Sequence, residues 1–284
     1  MGGLLALMPA DPTDTYVEAM LRADAAADAP PGITVIISAR RATYLIWTVS
    51  IALLVLGMLH GAIIELGAVP IRIRGLGLFH LDGEQTIPAW YASMLMVSAA
   101  ALLFLHALIS RIRGKPGLAI YFVLLGAIFI VLSLDESISL HETLGRFLPD
   151  GIAEAAPIEF TWVIVAAPFL VAGAVAFVPF LSMLPRRTMK IVMAAGFIYV
   201  AGAFGIEIVG GRIAHQAGYL PTDTWPYVTS VVAEEGLELV GLSLFLTALL
   251  ALLAAENPSV RLIARTDRNA ERAAPAAGRS VTSR

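Results

Sequence analysis

Six stretches of about 20 or more mostly apolar residues constrain this chain more than any other feature. They lie near residues 43–66, 88–110, 118–142, 160–184, 189–211 and 228–254. A helix of about 20 residues rises roughly 30 Å, the thickness of the hydrocarbon core of a bilayer. Lipid offers no partner to a backbone N–H or C=O, so a run of this length crosses as a helix that pairs them internally. Composition agrees: 58% of the 284 residues are hydrophobic and 14% are charged, against about 25% charged in a soluble protein. The prediction is an all-α fold, a polytopic membrane helix bundle of six transmembrane helices, with the lipid bilayer as its first partner.

The flanks differ in character. Residues 1–42 are rich in Ala and Asp, and TDTYVEAMLRADAAADA reads as a short surface helix ended by the PPG at 30–32. GLLALM has no basic residue before it and falls short of the roughly 7–15 apolar residues of a leader's core, so it reads as part of an N-terminal segment. The tail is rich in Arg, Ala and Ser and reads as disordered. The expected division is therefore a segment at 1–42, the six-helix domain at 43–256 and a tail at 257–284.

Cations orient the bundle. Arg40 and Arg41 precede the first span; Arg111, Arg113 and Lys115 follow the second; Arg186, Arg187 and Lys190 follow the fourth. Six more Arg lie in the tail from Arg261 onward. The alternate loops hold only Arg72 and Arg74, then Arg146, then Arg212. The bias toward positive charge on the cytoplasmic side predicts an inner-membrane protein with both termini in the cytoplasm.

Several chemistries drop out. A net charge of −3 with no basic stripe speaks against nucleic acid as a partner. The absence of cysteine removes disulfides, thiol nucleophiles and any thiolate metal site. There is no Gly-rich phosphate loop, no G-x-S-x-G, no H-E-x-x-H and no mid-span lysine of the retinal-binding kind.

What remains is the placement of acids and histidines. Counting about 1.5 Å per residue from the cytoplasmic face puts His60, Asp135 and Glu207 near 25 Å, and Glu234, descending from outside, at about the same level. Glu238 lies about one turn deeper, and Glu65, His141, Glu142 and His215 about two turns shallower. Of the five histidines only His106 is near the inner side, where it reads as an interhelical hydrogen-bonder. Ionisable groups inside a membrane are costly, face the bundle interior and mark function. Four helices thus predict one polar layer in the outer leaflet.

A helical wheel refines the layer. In LSLDESISLHE, Asp135 and Glu142 share a face about 10 Å apart, His141 lies about 120° round, and Glu136 points away from Asp135. In AEEGLELVG, Glu234 and Glu238 form an i, i+4 pair flanked by Glu235. Glu235 and Glu238 make an E-x-x-E spacing that resembles the motif of iron permeases. Carboxylates with imidazoles suit iron, zinc or manganese. The metal-ligand candidates are therefore His60, Asp135, His141, Glu142, Glu207, Glu234 and Glu238, with Glu65, Glu136, Glu235 and His215 around them or at the entrance. The Glu-x-x-His pattern of di-iron bundles is absent.

Three functions fit this set: a divalent-metal site, as in a metalloenzyme acting on a lipid or other apolar small molecule; a proton or cation path using the same acids, some of them protonated; or charges that pair structurally in an accessory subunit. The small residues of AAGFIYVAGAFG favour close packing within the chain, against a membrane protein partner or in a homo-oligomer. Ser137, His141 and Asp135 resemble the Ser, Asp and His set of membrane ceramidase-like hydrolases. Those families also carry paired histidines in a late helix, which the sixth span lacks.

Two outer loops complete the reading. GLFHLDGEQTIPAWYASM brings His80, Asp82 and Glu84 ahead of Pro88, as a lid over the site or an interfacial loop anchored by Trp90 and Tyr91. YLPTDTWPYV has Trp225 and Tyr227 as anchors of the same kind. Gly210-Gly211 is expected to end or kink the fifth span, and Pro168 and Pro179 to bend an apolar, lipid-facing fourth span.

Overall fold

The computed structural model describes residues 33–34, 38–67, 75–83, 85–149, 151, 159–219, 224–256 and 261–262. Contacts divide the chain into two units: 1–10 with 39–257, and 11–38 with 258–284. In the second unit Ile33–Thr34 pairs antiparallel with Arg261–Leu262, Ile33 opposite Leu262. The candidate surface helix near the N-terminus and nearly all of the tail lie outside the described residues.

The first unit is helical, with six helices long and apolar enough to cross a membrane. Span 1 is Ala39–Ile63, span 2 Ile87–Ile112, span 3 Pro116–Ile138, span 4 Trp162–Met183, span 5 Arg186–Ala217 and span 6 Trp225–Glu256. Local chemistry sets several boundaries. Thr86 caps span 2, its Oγ1 accepting from the Ala89 N–H at 3.5 Å, with Pro88 in the first turn. Gly114, at φ +71°, turns the chain within three residues into the proline that opens span 3. Gly218, at φ +70°, ends span 5 in the same way.

Span 6 is the axis of the bundle, packing against spans 1, 2 and 5, while span 2 pairs with span 3 along its length. Met96, Leu103, Phe122, Leu239, Leu246 and Leu249 fill the core at this junction, each at most 2% exposed. Hydroxyls join the helices between these layers. Ser50 Oγ lies 2.9 Å from Ser243 Oγ, and Trp47 Nε1 donates to Thr247 Oγ1 at 3.1 Å. In lipid such bonds hold helices where no hydrophobic drive separates them from the solvent. His106 donates from Nε2 to the Leu249 carbonyl at 3.1 Å and stacks on Phe122, the interhelical role its isolation suggested. Span 4 presents Phe169, Val171, Val175 and Val178 outward, the surface that lipid would cover.

Four features differ from a reading in regular helices. Span 3 stops at Ile138, because Ser139 takes a left-handed φ of 54° and a short helix, Leu140–Leu144, starts after it. Span 4 breaks at Phe177, two residues before Pro179, which has no N–H to continue the helix. Span 5 does not end or kink at Gly210-Gly211; its distortion is a π-helical turn at Ala201–Ile206, and the helix continues to Ala217. Span 1 carries a second π-helical turn, Gly61–Glu65.

Candidate carboxyl pocket

The break in span 3 builds the first part of the site. Asp135 Oδ1 accepts the His141 backbone N–H at 2.6 Å, and His141 Nδ1 lies 3.2 Å from Oδ2. A wheel drawn through residues 135–141 separates these two side chains by a third of a turn. The left-handed residue at 139 brings them together instead. Below them, Ser93 of span 2 meets Ser133 and Ser137 at 2.8 and 3.1 Å, fixing the height of this end of span 3.

The ring of His141 lies 4.9 Å from that of Trp162, the first residue of span 4. The indole N–H of Trp162 donates to Glu207 Oε1 at 3.0 Å, and Phe204 meets the same ring edge-on. The segment ahead of Trp162 is seated on span 5: the Glu159 N–H bonds the Gly211 carbonyl at 3.0 Å. A Cβ on Gly211 would stand 3.0 Å from Phe160 Cδ2 and 3.3 Å from Phe160 N, so the glycine admits this close approach.

The π-helical turn delivers Glu207. One extra residue per turn rotates everything beyond it by about 100° relative to a regular helix. Glu207 is the first residue past the turn, and its carboxyl lies beside that of Glu234 on span 6. The turn packs there without a side chain: a Cβ on Gly202 would lie 2.7 Å from the Glu234 carbonyl oxygen. One turn deeper, Tyr199 hydrogen-bonds Glu238, with Glu136 and Asp135 in electrostatic reach of both. Glu235 interacts electrostatically with Glu238, Glu136, Asp82 and Glu207.

Residues 80–82, between spans 1 and 2, pack over this layer. Leu81 is buried, and Asp82 Oδ2 accepts the Tyr227 hydroxyl at 3.1 Å. The ring of His80 meets that of His60, centroids 4.9 Å apart and tilted by 57°. Trp90 and Trp225 are each 63% exposed, as interface anchors would be. Tyr91 and Tyr227 are not anchors. Tyr91 turns inward to the Ile46 carbonyl at 2.8 Å and to Ser50, and Tyr227 is 4% exposed under the loop.

The sequence-predicted residues are thus distributed unevenly. Asp135 and His141 form one pair, Glu207 and Glu234 another, and Glu136 and Glu238 lie near Tyr199, with Glu235 in electrostatic reach of both acids. His60 meets His80 of the loop between spans 1 and 2, and His215 is exposed in the last turn of span 5. The side chains of Glu65 and Glu142, and the whole of Glu84, lie outside the described positions. Among the described residues no three His, Asp or Glu side chains converge as ligands of one metal ion. Trp162 and Tyr199, which the sequence did not single out, bind the key carboxyls directly. An apolar ring at a span's end or middle carries no signal of its own when interface anchors look the same.

A family model described as "Domain of unknown function (DUF8692)" matches residues 44–253, and the chain belongs to that family. No curated protein and no solved structure matches it.

Proposed function

We propose that this member of the DUF8692 family is an inner-membrane cation-binding protein with cytoplasmic termini and a carboxyl pocket beneath its extracytoplasmic face. The observation that carries the reading is the contact between the Glu207 and Glu234 carboxyls inside two spans. Two carboxyls stay together where something positive lies between them, a proton or a metal ion. Uncompensated carboxylates in lipid are costly enough that such a pair marks a site. Trp162 orients Glu207 from one side, and Tyr199 holds Glu238 one turn below.

Without thiolates the metals that suit these ligands are iron, zinc and manganese. With only carboxyls and one imidazole close by, part of the coordination shell would be left to water or to a substrate, the condition of a metalloenzyme rather than a structural site. A substrate arriving from within the bilayer would be a lipid or another apolar small molecule. Elemental analysis of the protein purified from native membrane tests the reading. Wild type should retain iron, zinc or manganese near one equivalent, and the Glu207→Gln/Glu234→Gln variant should lose it. Equal metal in both would remove the carboxyl pair as the site.

A transport reading has one observation in its favour. The polar line on span 6 continues inward as buried Ser243 and Thr247, then His106 from span 2, whose Nδ1 lies 3.5 Å from Glu256 Oε2. Proton or cation flux in proteoliposomes that falls in a Ser243→Ala/Thr247→Val variant would favour it over catalysis.

A further inference from the structure

We infer that His60 and His80 form a second cation site, a two-imidazole capture point at the outer mouth for a borderline divalent metal such as zinc or copper. The two rings come from separate parts of the chain, one from the end of span 1 and one from the loop before span 2, yet their centroids are 4.9 Å apart. His60 is 6% exposed, so the contact is not a surface accident of two mobile side chains. Two nitrogens on one ion stand about 3–3.4 Å apart at metal–nitrogen distances of about 2.0–2.1 Å. Centroids 4.9 Å apart admit that spacing when one nitrogen of each ring turns toward the other.

The loop is built to hold His80 there. Leu81, the next residue, is 5% exposed and seated on Gly57, one turn below His60, where any Cβ would collide with the leucine side chain. Asp82 is tied to span 6 through the Tyr227 hydroxyl. On the other flank a Cβ on Gly83 would sit 2.9 Å from His80 Nδ1, so the glycine leaves the ring its room. Three consecutive positions around His80 therefore serve its placement. Neutral imidazole selects zinc, copper, nickel or iron over magnesium or calcium. Two protein nitrogens leave several coordination positions open, which makes for exchangeable binding suited to capture. Asp82, two residues on from His80, interacts electrostatically with Glu235 of the carboxyl pocket.

The site does not depend on the Glu207–Glu234 reading, and the test separates them. Full-length protein in detergent is titrated with Cu(II) and followed by electron paramagnetic resonance, with Zn(II) competition giving affinity. Wild type and Glu207→Gln/Glu234→Gln should both show nitrogen hyperfine structure from two imidazoles. His80→Ala should lose that pattern and bind Zn(II) about tenfold or more weakly, since even groups that merely support a ligand act on this scale. His215→Ala, an exposed histidine, is the control and should keep it. Thermal unfolding shows whether His80→Ala remains folded; should it not, His80→Gln takes its place in the same titration. A two-nitrogen pattern that survives loss of the His80 imidazole in a folded variant overturns the inference, as does one that vanishes only with the carboxyls.

Discussion

Trp162 shows how much one side chain does in this pocket. Its indole N–H is aimed at Glu207 from the start of span 4, and its ring lies 4.9 Å from that of His141, so it couples the end of span 3 to span 5. A hydrogen bond to a charged group contributes about 1.5–3 kcal/mol. Trp162→Phe keeps the ring and removes the donor, so Mn(II) affinity should drop by about tenfold. A titration that finds wild-type affinity would mean that Glu207 is oriented by something else. Gly202 sets the opposite limit. Gly202→Ala forces a methyl against the Glu234 carbonyl and should cost about 1–3 kcal/mol, read as a lower unfolding temperature in detergent. At this scale the acids were legible from the sequence, because an ionisable residue in an apolar run stands out. Their aromatic partners were not, since Trp and Tyr at such positions are equally at home at a membrane interface.

At the scale of elements, the site is made by departures from the regular helix. The π-helical turn at Ala201–Ile206 and the left-handed break at Ser139 each redirect one carboxyl or imidazole. Deleting Ala203 should convert the turn to ordinary helix and carry Glu207 about 100° away from Glu234. Cation binding should disappear while circular dichroism still shows full helicity; retained binding would mean the turn is incidental. Counting residues along regular helices sets these groups at one depth. The same counting misjudged direction by setting His141 apart from Asp135, and the glycine pair pointed to an end or kink of span 5 at Gly210-Gly211, where the helix continues. Periodicity carries no mark of an inserted residue, and Ser139 is not a residue type that announces positive φ. The double glycine proved to be a docking surface for residues 159–160.

For the whole molecule, six helices long and apolar enough to cross a membrane were plain from length and apolarity alone, as was the apolar character of span 4, which is exposed along much of its length. The order of packing was not, because every span is apolar on most faces and the choice of span 6 as axis rests on small residues and hydroxyls. The orientation inferred from Arg and Lys has a direct check, helped by the absence of native cysteine. A membrane-impermeant maleimide on intact cells should label Leu78→Cys, 53% exposed in the outer loop, and not Lys115→Cys between spans 2 and 3. The reverse pattern would turn the pocket to the cytoplasm.

Glu207 and Glu234 are proposed to hold a single cation between them. A double-mutant cycle on Mn(II) affinity, using Glu207→Gln, Glu234→Gln and the pair, measures this directly. If one ion is shared, each single change should cost nearly as much affinity as the double. Two small losses that simply add, or no loss at all, would show that the two carboxyls do not act on a common ion.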